Sequence, residues 1–311
     1  MILVTGCCGF IGSHLAERLL RDGEDVLGID NFDPYYPRQL KLKNLEVLKE
    51  HEKFQFVEES ILGDLEQLFR KVSIVYHHAA IAGVRNSLRD PLRYLENNVL
   101  GTANILNLSR NSGVKKVVFA SSSSVYGEVA ESELPLEESH KLEPISPYGY
   151  SKKLCEEICH MYSRVWGLAL VSLRYFTVYG PRQRPDEAFS KFIKKILKGE
   201  PVEVYGSGEQ TRDFTYISDA VDATLLAARK GHGIYNIASG SRITLNKALS
   251  LISRISGLEP RIVPKEKQQG DVSHTWASIS KARKELGYRP KIPLEQGLRE
   301  HLQWLKKSME E

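Results

Sequence analysis

Three sets of residues could assist the oxidation of an alcohol. They are the serine run Ser121–Ser124, a tyrosine at position 148 and a lysine at position 152. An alcohol that gives up a hydride must also lose its hydroxyl proton, so the oxidation requires a base. A tyrosine phenol has an ordinary pKa of about 10, and an ammonium about 4 Å away stabilises its phenolate by roughly 4 kcal/mol at a dielectric of about 20. We predict Tyr148 as the base, Lys152 as the cation that lowers its pKa and holds a ribose, and Ser122 as the hydroxyl that orients the substrate oxygen.

The elements around these residues favour this interpretation. Ser146 suits a helix N-cap and Pro147 suits the first helical position, so Tyr148 and Lys152 share one helix face at i,i+4. The serine run follows an apolar strand, at the sheet edge where ligands of parallel sheets collect. A tyrosine and a lysine at this spacing are, by themselves, more typical of a solvated helix face. A glycine-rich turn near the N-terminus, typical of cofactor binding, favours the catalytic interpretation.

That turn has glycines spaced GxxGxxG, directly after the first apolar run and at the start of a helical pattern. Gly6 permits a tight turn, Gly9 lets the backbone approach a pyrophosphate, and Gly12 allows close packing of helix on sheet. The free N–H groups at the helix start, around Phe10 and Ile11, face the anion. A glycine turn without a ligand is the alternative.

Asp30 ends the second apolar run, 18 residues after Gly12. A carboxylate at this point can accept both ribose hydroxyls of a dinucleotide. It would repel the 2′-phosphate of NADP by roughly 1 to 4 kcal/mol, so the cofactor is predicted to be NAD. Asn31 either assists at the adenosine end or is an ordinary turn residue.

Seven short apolar runs alternate with helical stretches, at residues 2–5, 26–30, 54–57, 74–76, 117–119, 168–173 and 234–237. This alternation predicts an α/β fold, a doubly wound parallel Rossmann sheet covered by helices on both faces. Prolines and charges increase after Arg174, which suggests a smaller α/β substrate-binding domain. Because the seventh run lies far downstream, we expect two interleaved domains: 1–174 with about 214–238 for NAD, and 175–213 with 239–311 for substrate.

Composition narrows the class of protein. The 311 residues are 41% hydrophobic and 26% charged, with a formal net charge of +4. Mild basicity suits a phosphate- or carboxylate-bearing substrate but lacks the concentrated basic stripe of a nucleic-acid binder. No apolar stretch reaches the ~18 residues of a membrane span, and no signal peptide precedes the first apolar run. We therefore predict a cytoplasmic enzyme without nucleic-acid or membrane partners.

The four cysteines form two close pairs, Cys7 with Cys8 and Cys155 with Cys159. Neither pair is accompanied by a second CxxC or a histidine pair, which a zinc site would require. We predict small buried thiols and no metal site.

The glycine turn, the SSSxVYG run and the YxxxK pair together resemble the extended short-chain dehydrogenase/reductase family of nucleotide-sugar enzymes, over nearly the whole chain. Further matches are His77–Ala80, Asn98–Val99, Gly101–Thr102, Arg174–Phe176, Tyr179–Pro181, Arg212–Phe214 and Gly270–Asp271. The resemblance implies that Ala79, Asn98 and Tyr175 line the NAD. It also implies that Arg212 holds the substrate diphosphate through charge-assisted hydrogen bonds.

Two positions depart from the family pattern. Ser60 replaces the aspartate that commonly precedes Ile61 near the adenine, which weakens one cofactor contact without removing the motif. Ser60 and Ile61 remain among the expected cofactor contacts. Ser278 replaces a common aspartate between Gly270 and Lys281, which leaves the local loop geometry open.

The serine run separates the reactions of this family. Its decarboxylases and 4,6-dehydratases carry an acidic residue where this chain has Ser123 and Ser124, so those reactions are less favoured. The resemblance then implies 4-epimerisation of a nucleotide sugar. Tyr148 removes the C4 hydroxyl proton, NAD takes the hydride, the 4-keto sugar turns over, and the hydride returns to the other face.

The sugar is predicted from a second set of residues. Thr177 stands where many UDP-glucose epimerases have asparagine, and the runs 174–186, Gly83–Arg85 and 268–271 resemble UDP-glucuronate 4-epimerases. A hexuronate carboxylate requires a cation and a hydroxyl donor, and Arg184 and Thr177 can supply both, unless Arg184 caps a loop or faces solvent. The expected substrate contacts are Arg85, Ser122, Ser123, Thr177, Arg184, Tyr205, Arg212 and Asp271.

The resulting prediction is a UDP-glucuronate 4-epimerase with tightly held NAD. The alternatives are a UDP-glucose/UDP-galactose 4-epimerase and a non-catalytic NAD or nucleotide-sugar sensor. The resemblance also implies a homodimer, paired through residues 93–111 and 148–165.

Overall fold

The computed structural model describes residues 1–268 and 270–310. Gln269 and Glu311, which fall within the predicted substrate-binding domain, lie outside the described residues. The strands are β1 (Ile2–Thr5), β2 (Val26–Asp30), β3 (Phe54–Glu58), β4 (Ile74–His77), β5 (Lys116–Ser122), β6 (Leu170–Tyr175), β7 (Val178–Tyr179), β8 (Val202–Tyr205), β9 (Thr211–Arg212), β10 (Thr215–Tyr216), β11 (Gly233–Ile237), β12 (Ile243–Thr244) and β13 (Ile262–Lys265).

The helices surround these strands. They are α1 (Phe10–Arg21), α2 (Arg38–Lys49), α3 (Glu66–Phe69), α4 (Val84–Ser87), α5 (Pro91–Tyr94), α6 (Gly101–Asn111), α7 (Pro147–Trp166), α8 (Ala188–Leu197), α9 (Ile217–Lys230), α10 (Leu245–Ser256) and α11 (Leu294–Glu310). A π-helical stretch, Leu95–Leu100, joins α5 to α6. No helix of residues 1–268 and 270–310 is long and apolar enough to cross a membrane.

The central sheet contains seven parallel strands of the described chain, in the order β11-β6-β5-β4-β1-β2-β3. All seven predicted apolar runs are strands of this sheet, and the doubly wound α/β prediction is confirmed. The fifth strand extends beyond its apolar run, because Ser121 and Ser122 pair with Arg174 and Tyr175 of β6. Backbone pairing with a neighbour, rather than side-chain character, sets where this strand ends.

Alternate residues of β1 face opposite layers, as a strand requires. Ile2 and Val4 belong to the core under α1 and α9, while Leu3 belongs to the core under α6 and α7. All four cysteines are buried free thiols in these two cores, as the sequence predicted. No group of three or more potential metal ligands occurs among the described residues.

The chain after β6 adds helices that pack on the same hydrophobic core as the central sheet. The core that contains Val171 of β6 continues without interruption through Phe189 and Ile193 of α8 to Leu298 and Leu302 of α11. The late strand β11 returns to pair with β6, so the predicted late completion of the sheet is confirmed. The domain boundaries themselves stay a prediction.

The helix that carries the tyrosine and the lysine begins as its sequence predicted. Ser146 is the N-cap of α7, and its hydroxyl accepts a hydrogen bond from the N–H of Gly149 at 3.1 Å. Pro147 occupies the first helical position. The helix ends at Trp166 and is capped by Gly167, whose φ of 69° suits glycine best. Local caps therefore fix the start of α7, which sets the position of its first turn at the sheet edge.

Candidate active site

A cavity of about 390 Å³ opens at the carboxyl edge of the central sheet. It lies where strands of doubly wound folds present their ligand-binding loops. Most of the predicted cofactor and substrate residues line it together: Gly6, Gly9, Phe10, Ile11, Gly12, Asp30, Asn31, Ile61, Ala79, Ser122, Ser123, Tyr148, Lys152, Tyr175, Thr177 and Arg184. Residues that were predicted from separate motifs thus line the same cavity.

The glycine turn leaves no room for side chains. A Cβ on Gly6, whose φ is +70°, would lie 2.8 Å from the N atom of Ala79. A Cβ on Gly12 would lie 2.1 Å from the carbonyl oxygen of Gly6. Helix α1 starts after Gly9 without a side-chain cap, and the first N–H groups of a helix have no intrahelical acceptor. This cradle fits a pyrophosphate on the helix N-terminus.

Asp30 is held rigidly at the end of β2. Its Oδ2 accepts a hydrogen bond from the N–H of Cys8 at 3.1 Å, and its Oδ1 accepts from the N–H of Phe32 at 2.8 Å. Burial raises the pKa of Asp30, and the ammonium of Lys41, 3.9 Å from Oδ1, partly offsets this. The carboxylate thus lies at the cavity wall in the position predicted for ribose recognition. Asn31 makes a turn, since its Oδ1 accepts from the N–H of Asp33 at 3.1 Å.

Lys41 also lines the cavity, and the sequence analysis missed it. Its side chain is 8% exposed, and its Nζ donates to the carbonyl oxygen of Asp33 at 3.0 Å. Lys41 lies in the charged helix α2, where its sequence context does not differ from that of solvent-facing lysines. Only the packing of α2 against the turn after β2 distinguishes it.

Tyr148 and Ser122 meet in the cavity. Burial raises the pKa of the Tyr148 phenol, and the neighbouring Ser122 hydroxyl partly offsets this. Ser122 is oriented by its own turn, because its Oγ also accepts from the N–H of Ser124 at 3.1 Å. The proposed base and the proposed orienting hydroxyl are therefore in contact.

Lys152 differs from its prediction. The sequence assigned to Lys152 the lowering of the Tyr148 pKa, but the cation with the largest such effect in the structure is Arg184. The reason is the orientation of the ammonium, which donates to the carbonyl oxygen of Ala120 at 2.8 Å and lies 5.0 Å from the centre of the Phe119 ring. Its expected contact with a ribose stays a prediction.

Arg184 also lines this cavity, in an acidic cluster of its own loop. Its Nε and Nη2 donate to Asp186 at 3.0 and 3.1 Å, and Nη2 lies 3.0 Å from Oε1 of Glu187. Its guanidinium stacks on the Tyr35 ring at 5.4 Å, and the Tyr35 hydroxyl donates to Asp186 at 3.0 Å. Arg184 therefore both braces its loop and lines the cavity beside Thr177.

The remaining substrate candidates form a second group. Tyr205, Arg212 and Asp271 line a cavity of about 220 Å³. Arg85 joins them through an ion pair with Asp271 at 2.6 Å and by stacking on the Tyr205 ring at 4.5 Å. Arg212 donates to the carbonyl oxygens of Thr211 and Val272 at 2.8 and 2.7 Å.

Two predicted cofactor contacts, Asn98 and Ser60, are not among the residues that line the cavity. Asn98 is 1% exposed, and its amide is committed to both backbone groups of Ile81, at 2.8 and 2.9 Å, and to Ser151. Its neighbour Asn97 lines the cavity instead. The Ser60 hydroxyl accepts from the N–H of Leu62 at 3.2 Å, within its own turn. The expected direct contacts of Asn98 and Ser60 with the cofactor stay predictions.

Another predicted motif residue, Arg174, has a structural role. Its guanidinium is 2% exposed and forms an ion pair with Glu156 of α7 at 2.8 Å. The hydroxyl of Ser121 donates to the same carboxylate at 2.5 Å. Glu156, which the sequence analysis did not single out, thereby ties the serine run to β6 and to the helix of Tyr148.

Comparison with known proteins decides the family. A family model described as the NAD dependent epimerase/dehydratase family matches residues 2–238. The chain belongs to this family. Membership in the NAD dependent epimerase/dehydratase family confirms the prediction of NAD as the cofactor, and the glycine cradle and Asp30 are the parts of this chain that fit it.

Individual known proteins are similar to the chain over nearly its whole length. One is the uncharacterized UDP-glucose epimerase YtcB of Bacillus subtilis, 43% identical over 98% of this chain and 97% of its own. Another is the UDP-glucuronate 4-epimerase of Thermodesulfobacterium geofontis, 40% identical over 99% and 97%. The crystal structure of the UDP-glucuronic acid 4-epimerase of Bacillus cereus, in complex with UDP-glucuronic acid and NAD, aligns with a TM-score of 0.95 at 39% identity, covering 99% of both chains.

Proposed function

We propose that this chain interconverts UDP-glucuronate and UDP-galacturonate by epimerisation at C4, with NAD as its bound cofactor. The observation that carries the proposal is that one cavity holds the Tyr148–Ser122 pair together with Arg184 and Thr177. The first pair can take the proton of a sugar hydroxyl, and the second can hold a carboxylate. The similarity to UDP-glucuronate 4-epimerases over the full chain supports the same assignment.

The cofactor would be held by the glycine cradle at its pyrophosphate and by Asp30 at its adenosine ribose. Lys41 and Lys152 offer further cations towards the same bound molecule. When bound, NAD supplies a reversible acceptor for the hydride of C4. The remaining steps are carried by the side chains of the protein.

Tyr148 would accept the C4 hydroxyl proton and later return it to the epimerised hydroxyl. Ser122 keeps the substrate oxygen and the phenol aligned, because its own hydroxyl is fixed by the turn at Ser124. Partial burial raises the pKa of the phenol, and Arg184 makes its phenolate less unfavourable. Ser123 lines the cavity where a dehydratase or decarboxylase would require an acid, so simple proton return is the reaction this site supports.

The nucleotide end of the substrate is assigned to the second cavity. Arg212 and Tyr205 line it, and both are suited to a uridine diphosphate: a guanidinium for the phosphates and a ring for stacking. Asp271 and Arg85 would hold the walls of this cavity through their ion pair.

Initial rates on UDP-glucuronate and UDP-glucose test the proposal. We expect at least a tenfold preference in kcat/KM for the uronate, and Arg184→Met and Thr177→Ala should each reduce that preference. Faster epimerisation of UDP-glucose would overturn the uronate assignment. One observation favours UDP-glucose epimerisation as the second candidate function. Arg184 is already paired with two carboxylates of its own loop, Asp186 and Glu187, which compete with a substrate carboxylate.

We further propose that the protein is a homodimer. Large apolar side chains are exposed on the two predicted pairing segments, residues 93–111 and 148–165: Leu95, Leu100, Tyr150, Leu154, Met161 and Val165. An apolar surface of this extent is typical of a protein interface. Light scattering should give twice the mass of one chain, and Met161→Glu should lower it towards one chain. A wild-type mass of one chain would contradict the dimer.

The proposed location is the cytoplasm. The adjacent thiols of Cys7 and Cys8 are unpaired and buried, with their sulfurs 3.7 Å apart, which suits a reducing compartment. Fractionation of cells that produce the protein should recover it with cytoplasmic enzymes, and recovery in the membrane pellet would contradict this proposal.

A further inference from the structure

Glu187 is an acidic residue of the main cavity to which the proposed reaction gives no role. It immediately precedes α8, lines the cavity, and its side chain is 23% exposed. Its Oε1 lies 3.0 Å from Nη2 of Arg184, the guanidinium proposed to receive the substrate carboxylate. Its Oε2 accepts a hydrogen bond from Nε2 of Gln183 at 3.2 Å. The Glu187 carboxylate thus makes the contact with Arg184 that is proposed for the carboxylate of a hexuronate.

The guanidinium of Arg184 has two carboxylates for one positive charge. Asp186 binds it through two hydrogen bonds and also accepts one from the Tyr35 hydroxyl. Although burial opposes ionisation, Arg184 and these hydrogen bonds hold the pKa of Asp186 below its usual value. Asp186 is therefore the permanent partner of Arg184, and Glu187 is the second, exchangeable one.

Glu187 is the less strongly ionised of the two. Burial raises the pKa of Glu187, and the charge of Arg184 offsets only part of this effect. The other charged or titratable groups that act on it are Asp186 in its own loop, Lys191 one turn along α8, and the Tyr148 phenol of α7. A third carboxylate beside Arg184 would favour a proton on the group that holds its charge least firmly.

We propose that Glu187 sets the sugar specificity of the cavity by exchanging with the substrate carboxylate on Arg184. With a neutral sugar bound, ionised Glu187 keeps its contact with Arg184. With a hexuronate bound, Glu187 takes one proton from a solvent acid onto a carboxyl oxygen, and no other bond is made or broken. This inference rests on the proposed hexuronate chemistry of the same site.

The first experiment counts protons. NAD-loaded Tyr148→Phe protein, which cannot turn the sugar over, is titrated calorimetrically with UDP-glucuronate and with UDP-glucose in two buffers of different ionisation enthalpy near neutral pH. We expect uptake approaching one proton for UDP-glucuronate and none for UDP-glucose. Equal uptake for the two sugars would overturn the proposal.

The second experiment removes the charge of Glu187 and keeps its shape. Glu187→Gln in the same background should abolish the proton uptake and lower the Kd for UDP-glucuronate at least about tenfold above neutral pH. The Kd for UDP-glucose should change less than about twofold, because that sugar brings no competing charge. Glu200→Gln is the matched control, since Glu200 lies beyond the other end of α8 with 51% of its side chain exposed.

The outcomes separate this inference from the proposed function. If wild-type protein epimerises UDP-glucuronate while Glu187→Gln alters neither the Kd ratio nor the proton count, the inference fails alone. If UDP-glucuronate binds with proton uptake but is not epimerised, the proposed function fails and the inference stands. Should Glu187→Gln not retain NAD, Glu187→Met removes the same charge at similar length and is judged by the same two measurements.

Discussion

The ammonium of Lys152 donates a hydrogen bond to the main-chain carbonyl of Ala120, 2.8 Å away. This contact joins the first turns of α7 to the end of β5, two residues before Ser122. The lysine is 3% exposed, and burial lowers its pKa. Lys152 thus positions the base relative to the serine, in addition to any charge it presents to a bound cofactor.

Replacement of Lys152 should impair both geometry and charge. Lys152→Met retains the length of the side chain but removes the donor to Ala120, so we expect kcat/KM to fall about 10²-fold or more. The melting temperature should also fall, because a buried carbonyl loses its partner. Steady-state rates and a thermal melt test this. Wild-type rates in Lys152→Met would contradict the positioning role, and Lys153→Met on the next position is the control.

Tyr148 is expected to be essential for turnover but not for cofactor binding. Tyr148→Phe removes the proton acceptor that contacts Ser122, and should lower kcat by about 10² to 10⁴-fold while NAD remains bound. Absorbance of released NAD and kcat are the two measurements. Tyr150→Phe, two residues away with 52% of the side chain exposed, should keep wild-type activity. Equal losses in the two variants would argue against a base at position 148.

Replacing one partner of the buried ion pair between Arg174 and Glu156 should lower the free energy of unfolding. Glu156→Leu leaves the guanidinium without its partner, and we expect unfolding to become easier by about 3 to 5 kcal/mol. The double variant Glu156→Leu with Arg174→Met should recover part of that loss. Urea unfolding measures both. The exposed pair of Arg254 and Glu295 is the control, and Arg254→Ala should cost less than about 1 kcal/mol.

Stability should depend on pH through His301, which lies fully buried on α11. Burial lowers its pKa from 6.5 to about 3, so the unfolded chain binds a proton over a range in which the folded chain does not. This contribution is fully present above pH 6.5 and is lost as the pH falls towards 3. Between pH 6.5 and about 5, the free energy of unfolding should fall by about 1.5 kcal/mol on account of this residue.

His301→Leu should remove that part of the acid sensitivity, as measured by urea unfolding at several pH values. His232→Gln, at an exposed position, serves as the control and should leave the slope unchanged. An identical slope in His301→Leu and wild type would show that His301 is not the group responsible. Buried His77 and half-buried His14 and His78, with pKa values lowered by desolvation to about 3, 4 and 3, should sustain the remaining slope.

The strands and α7 were predictable because their signals are local. The apolar run of β1, the glycines after it and the Ser146–Pro147 start of α7 each determine structure within a few residues. The carboxylate at the end of β2 was also predictable, because its position after the glycine turn is typical of a ribose-binding residue. The sequence thus predicted the parallel sheet, the cofactor turn and most of the cavity lining.

Contacts across long sequence separations were not predictable in this way. Asn98 was expected at the cofactor, but its amide is taken by Ile81, 17 residues away, through a loop geometry that no local pattern specifies. Lys41, Glu156 and Glu187 are charged residues on or beside amphipathic helices, where most such residues face solvent. Only the packing of these helices shows that the three side chains point inwards.

The late pairing of β11 with β6 has a consequence for synthesis of the protein. Until residues 233–237 leave the ribosome, one side of β6 presents unpaired N–H and C=O groups, a template on which nascent chains can associate. Premature termination anywhere in α9 would make that state permanent. Truncated products ending there are expected to accumulate as insoluble material rather than as partially active enzyme.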